Sequence, residues 1–329
     1  MSPRRVVLGV AALLVCSLIT TQVPGPAVLT AAGRAAPRAY VVGRSGQLQV
    51  LDTSDGTVVA RADTGAWATG AAVEPGGGRV YVVNGWSGVI TAVDPGKGVV
   101  GRIRTGAQLA QVVLRPDGER LYVTGGNVVG VVDPEQFRLI ATIPVGRQPQ
   151  GIAVTPDGRE LYVANTQDGT VSVLDTRSAT AITTVAVGGL PQHVAVAPNG
   201  REVYVSSLTL PDEEGSVTAI DTTTRRVRWT APIGKGAGAV AVTPDGRRVY
   251  VALDRGVAVL DTTTRTTREV DFRARGLAVP PGDRRVFLAA GGKAVVLDSA
   301  DDSELATFHL SGLDTDGQDF DATAVAFEP

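Results

Sequence analysis

Seven aspartates recur along the chain at near-even intervals: Asp52, Asp94, Asp133, Asp175, Asp221, Asp261 and Asp298. Thr, Pro or Ser follows each one. Carboxylates in a ring could hold cations. The simpler chemistry is local, because an Asp at a strand end accepts hydrogen bonds from its own turn backbone two residues on. Turn capping is therefore the expected role. A second acidic run, Asp314-Thr315-Asp316-Gly317-Gln318-Asp319-Phe320-Asp321, has carboxylates and a Gly turn that could hold Ca²⁺, but its spacing departs from the EF-hand pattern.

Other reactive side chains are scarce. There are two histidines, His193 and His309, and one cysteine, Cys16. That excludes a disulfide framework, a Cys-based zinc site and a multi-histidine metal site. No Ser-His-Asp pattern or phosphate loop is legible. No catalytic residue, metal or cofactor is assigned from the sequence. The chain is 43% apolar and 19% charged, which suits a folded domain with a sizeable core. The formal charge of −2 argues against a general nucleic-acid binder.

The elements that must position these residues come from a repeat. Length alone, 329 residues, allows two domains or one large all-β domain. All six tyrosines fall in one phase: Tyr40, Tyr81, Tyr122, Tyr162, Tyr204 and Tyr250, with Phe287 in seventh place. The steps are 41, 41, 40, 42, 46 and 37 residues. Each aromatic opens an apolar strand. Turns precede most of them, such as Pro116-Asp117-Gly118, Pro156-Asp157-Gly158 and Pro244-Asp245-Gly246. Pro presets φ and Gly tolerates positive φ, so these read as hairpin turns. A short strand lies before each turn, a third strand ends at each Asp, and a fourth follows.

Four short antiparallel strands in a period of about 42 residues describe a β-propeller blade. The first period, with Tyr40, lacks its first strand. The chain ends in Ala324-Val325-Ala326-Phe327-Glu328-Pro329, which aligns with the first strand Gly151-Ile152-Ala153-Val154-Thr155-Pro156. The expected fold is therefore all-β: seven four-stranded blades over 37–329. The C-terminal strand joins the N-terminal three to close the ring and remove exposed edges.

Specific blocks carry a family resemblance. Tyr81-Val82-Val83-Asn84, Tyr122-Val123-Thr124-Gly125 and Tyr162-Val163-Ala164-Asn165 resemble the Tyr-Val-Thr-Asn repeat of YVTN-type β-propellers, over about residues 39–329. The motif Asn stands only at Asn84 and Asn165. The resemblance implies export, a seven-bladed ring and binding, but no single reaction. Similar proteins include surface-layer-associated repeat proteins and amine-dehydrogenase-like propellers. No lactonase-type or dehydrogenase-type catalytic block matches.

Function in propellers usually sits on loops around one channel mouth. Two sets of loops should meet there: those entering each first strand and those joining second to third strands. Candidate ligand-binding residues on them are Trp67, Trp86, Gln111, Arg147, Gln150, His193, Lys235 and Arg275. Amides, cations and two tryptophans would make a polar pocket with stacking surfaces. The longest period carries an insertion from Ser206 to Gly215 with Asp212-Glu213-Glu214 at its tip. The leading expectation is a non-enzymatic binding or scaffold propeller whose ligand is an unidentified protein, glycan or small molecule. The alternatives are a lactonase-like or amine-dehydrogenase-like enzyme, and single-stranded nucleic-acid binding through Trp67 and Trp86. The acidic charge weakens the last.

Residues 1–36 read as a secretory signal and linker: Arg4 and Arg5 precede an apolar run from Val6 to Ile19, and small residues follow. Export to the cell envelope or exterior follows. Of 31 Lys and Arg against 33 Asp and Glu, removal of Arg4, Arg5 and Arg34 leaves 28 against 33, or −5. An uncleaved anchor over Val6–Val23, weakened by Ser17, Thr20, Thr21 and Gln22, would be the one membrane contact. Lipid attachment at Cys16 would need a small residue in place of Val15.

Overall fold

Each tyrosine-phased period folds as one four-stranded antiparallel sheet, and seven such sheets form a ring. The computed structural model describes residues 37–310 and 322–328. The expected signal segment and the acidic run Asp314–Asp321 fall outside the described residues. Every described strand lies within the unit Ala36–Pro329. Among the described residues no helix is long and apolar enough to cross a membrane.

The second blade shows the pattern in β4 (Ala68–Val73), β5 (Val80–Asn84), β6 (Val89–Asp94) and β7 (Gly98–Arg104). The third comprises β8 (Leu109–Leu114), β9 (Leu121–Gly125), β10 (Val128–Asp133) and β11 (Arg138–Pro144). The fourth comprises β12 (Pro149–Val154), β13 (Glu160–Asn165), β14 (Thr170–Asp175) and β15 (Thr180–Ala186). In the fifth, β16 (Leu190–Val196), β17 (Glu202–Thr209), β18 (Glu214–Asp221) and β19 (Arg226–Lys235) include the longest strands. The sixth runs through β20 (Val240–Val242), β21 (Arg248–Ala252), β22 (Val257–Asp261) and β23 (Thr267–Val270). The seventh runs through β24 (Gly276–Ala278), β25 (Arg285–Ala290), β26 (Lys293–Asp298) and β27 (Glu304–His309).

The first blade is built from both ends of the chain. β1 (Arg38–Gly43), β2 (Gln47–Asp52) and β3 (Val58–Asp63) come from the N-terminal side, and β28 (Ala322–Ala326) supplies the innermost strand. Tyr40 pairs with Ala326 and Val41 with Val325. The innermost strands touch in the order β28, β4, β8, β12, β16, β20, β24 and back to β28, so the ring closes as expected. A second clasp spans the same joint. The Arg285 guanidinium of the seventh blade donates to the Thr53 carbonyl of the first, at 3.0 Å.

Burial follows from this packing. A middle strand faces a neighbouring blade on each side, so both its faces are apolar; β5 and β9 are buried at every position. The fourth strand has an open edge and one poorly covered face, and in β15 only Val185 is buried. The six tyrosines are each 0% exposed and fill the space between blades. Most of their hydroxyls reach a carboxylate: Tyr81 donates to Glu74 at 2.5 Å, Tyr162 to Glu160 at 2.7 Å and Tyr204 to Glu202 at 2.7 Å. Burial, helped by Glu328, pushes the Tyr40 phenol up to about 12. These phenols stay neutral and donating.

All seven strand-end aspartates cap turns. Their Oδ1 atoms accept from the backbone N–H of Ser54, Gly96, Glu135, Arg177, Thr224, Thr263 and Ala300 at 2.8–3.0 Å. These bonds hold several carboxyls, such as Asp175 and Asp261, below their ordinary range. The residue after the Asp has a purpose too. Thr176, Thr222 and Thr262 donate through Oγ1 to the carbonyls of Gly158, Gly200 and Gly246 in the preceding hairpin turn, at 2.6, 2.7 and 2.9 Å. Gly158 needs its freedom, with φ +71° in that turn.

Candidate functional site

The two expected sets of loops do share one face. Register pairs Ala68 with Asn84, Pro149 with Asn165 and Pro191 with Ser207, so each loop entering a first strand lies beside a second-to-third-strand loop. A cavity of about 770 Å³ opens at this mouth. Below it, a smaller space of about 150 Å³ lies between the innermost strands. His193, Arg275, Thr69 and Thr323 line both, and form the throat between them.

One wall is aromatic. Trp67 precedes β4 and Trp86 sits in the loop after β5; their ring centroids are 5.7 Å apart and tilted by 37°. The Arg44 guanidinium lies 5.1 Å from the Trp67 ring centroid. Trp67 has φ +64°, an uncommon left-handed conformation for a bulky side chain. Both indoles stay accessible, Trp67 at 45% and Trp86 at 71%. The pair presents apolar ring surface and indole N–H groups together at the cavity rim.

The facing wall comes from the fifth and sixth blades: Leu208, Glu213, Gly236, Ala237, Leu253 and Asp254. The inserted loop thus joins the cavity through Glu213. The floor is set by β-bulges. Register shifts between Ala68 and Gly70, Leu109 and Val112, and Pro191 and His193 free Thr69, Gln111 and Gln192 from regular pairing. Those side chains face the cavities, a common use of a bulge.

His193 lines the channel wall but is enclosed by protein on its other sides. Its backbone N–H meets Ser206 Oγ at 3.3 Å. Burial lowers its pKa to about 4, so it is neutral at pH 7. The sign of the linkage follows. An unfolded histidine titrates near 6.5. Between 6.5 and 4 the unfolded chain binds a proton that the folded chain refuses. Stability present above pH 6.5 is therefore lost as pH falls towards 4, by about 2 kcal/mol once channel water is allowed to solvate part of the ring. In denaturant titrations at pH 7 and pH 4.5, His193→Gln should lose less stability on acidification than the parent. Equal losses would remove His193 as the cause.

The structure brings Trp67, Trp86, His193 and Arg275 to the upper cavity and Gln111 to the lower one. Arg147, Gln150 and Lys235 line neither. Arg147 is tied by Nε to Asp168 at 2.6 Å on an exposed loop. Gln150 lies within β12, and its carbonyl accepts from Thr124 Oγ1 at 2.7 Å. Lys235 is exposed at the end of a fourth strand and lines neither cavity, although the next residue, Gly236, does. Asn84 and Asn165 prove to be structural pins. Asn84 Nδ2 donates to the carbonyls of Gly65 and Ala66, and Asn165 Nδ2 to Thr170 and Ser172. His309 is exposed at the end of β27, a fourth strand. Thr323 was missed because its approach to Ala68 depends on ring closure; its Oγ1 donates to the Ala68 carbonyl at 3.0 Å.

A family described as "Outer membrane protein assembly factor BamB" matches residues 167–309, from the turn after β13 to the end of β27. The fold is the seven-bladed β-propeller. No curated protein matches the chain. Among solved structures, Kuenenia stuttgartiensis hydrazine synthase superposes with a TM-score of 0.66 and 22% identity, over 71% of this chain and 77% of that chain. A functionally unknown protein from Desulfotomaculum acetoxidans DSM 771 superposes with a TM-score of 0.71 and 16% identity, over 89% and 99%. At these identities the likeness concerns the fold alone.

Proposed function

We propose that this chain is an exported binding propeller that holds a ligand or partner at the mouth formed by Trp67, Trp86, Glu213, Asp254 and the throat residues. The observation that carries the reading is the accessible tryptophan pair at the rim of an open cavity. Aromatic side chains with one end wet are favoured contact residues, and concave sites with a few convergent polar groups are favoured ligand sites. The partial match to a family described as an outer-membrane assembly factor supports a binding role in the envelope. The Arg4-Arg5 start and following apolar run support export, with cleavage before about residue 37. The Tyr-Val-x-Asn blocks support the YVTN type of repeat. Mass spectrometry of the exported protein should find a mature start after Cys16.

The mouth itself is tested by a metabolite screen that reads melting temperature. A ligand at a hundred times its Kd should stabilise by about 2.7 kcal/mol, or raise Tm by about 5 °C. The Trp67→Ala, Trp86→Ala double variant should lose most of that shift. Two results oppose the reading. One is ligand shifts that persist in the double variant. The other is turnover of a lactone by the full chain that His193→Ala abolishes.

A further inference from the structure

The mouth is chemically two-sided, and the two sides ask for the same kind of ligand. Arg44 and Trp86 pack against Trp67, in a stack that ends at the rim. At 71% exposure, much of the Trp86 indole is uncovered, and indole faces attract cations by their quadrupole. Arg44 on Trp67 shows the same attraction already in use.

The opposite wall carries Glu213 and Asp254. Among the described residues neither carboxylate makes an ion pair or accepts a side-chain hydrogen bond. Some carboxylates of the ring are committed elsewhere: Asp168 to Arg147, Glu160 to Arg225 and Glu202 to Arg228. Leu208, Ala237 and Leu253 add apolar surface to the lining of the same cavity.

We propose that the mouth binds an organic ammonium group on an aliphatic stem, its charge held at the rim between the Trp86 face and the carboxylates of Glu213 and Asp254. This rests on the mouth-binding reading above and names its ligand class. A free polyamine and a lysine side chain on a polypeptide share this chemistry.

Tryptophan fluorescence of the full chain tests it, with spermidine and acetyl-trilysine amide as cations and maltose and glutarate as neutral and anionic probes. Saturable quenching by a cation is expected. It should weaken about tenfold in Trp86→Ala and about tenfold in Glu213→Gln, Asp254→Asn, and should fall with added salt. Melting temperatures of these loop variants should match the parent. Binding of both cations assigns a free amine; binding of the peptide alone assigns a lysine side chain. Failure of both cations at millimolar concentration overturns the proposal, as does unchanged cation binding in the carboxylate variant. If maltose or glutarate binds in a Trp86-dependent way and the cations do not, the ligand class falls and mouth binding stands. If no probe depends on Trp86, both fall.

Discussion

Ending the chain before Ala322 is expected to remove the cooperative folding of the whole propeller rather than fray one blade. The deleted strand is the innermost member of the first blade, pairing with Tyr40, Val41 and Val42. Its loss strips these residues of a hydrogen-bonded neighbour. It also removes Phe327, whose ring meets Phe287 of the seventh blade edge-on at 4.8 Å. The Thr323 bond to the Ala68 carbonyl, which ties the first blade to the second, goes with it. Ala324, Val325 and Ala326 leave the apolar clusters on either side. Counting lost apolar burial and hydrogen bonds, the change is at least about 5 kcal/mol. That is comparable to the whole stability of many domains. Thermal unfolding should shift down by at least about 10 °C or lose its single transition, and the opened edge should promote aggregation. A synthetic peptide of residues 322–329 should restore part of the loss. An unchanged melting curve would refute closure by this strand.

The second large effect is expected at a glycine in the channel wall. A Cβ on Gly151 would sit 2.6 Å from the His193 Cα, 2.8 Å from the Gln192 carbonyl oxygen and 2.9 Å from the Val194 nitrogen. All three are backbone atoms, so no rotamer change can make room. Gly151→Val should push β12 and β16 apart at the narrowest part of the ring, at a cost of about 3 kcal/mol. For a domain of this size that is a fall in Tm of about 6–10 °C. Gly151→Ala should show a smaller loss of the same sign. Because β16 carries His193 and Gln192, the valine variant should also weaken whatever the mouth binds. A Gly151→Val protein as stable as the parent would mean that the innermost strands have slack that the contacts do not show.

Much of this architecture was readable in the chain because a propeller writes one structural unit seven times. The tyrosine phase, the Pro-Asp-Gly turns and the terminal Asp are local features with local causes. Each reappears in the structure in its expected place: buried between blades, at a hairpin, or accepting its own turn amides. The closing strand was legible for the same reason, as a first strand without its other three. The mouth was harder to read. Trp67, Trp86, His193 and Arg275 line one cavity, as expected from strand polarity, which fixes which ends share a face. Arg147, Gln150 and Lys235 satisfied the same rule and still miss the cavity. Asn84 and Asn165 share a motif with an apparent loop position, yet their amides turn inward, Asn84 to backbone carbonyls and Asn165 to the hydroxyls of Thr170 and Ser172.

The sequence alone determined the blade, the number of blades and the way the ring closes, since each depends on periodic pattern and on hydrogen bonds near in sequence. The tertiary structure decided which loop residues meet. β-Bulges of one or two residues turned Thr69, Gln111 and Gln192 towards the channel, and no propensity marks such a bulge in advance. Ring closure brought Thr323 against Ala68 across 255 residues. Curvature of the ring set Glu213 and Asp254 across one cavity from a tryptophan pair three blades away around the ring. Those approaches depend on how seven sheets pack around an axis, a property of the assembled ring that no single repeat contains.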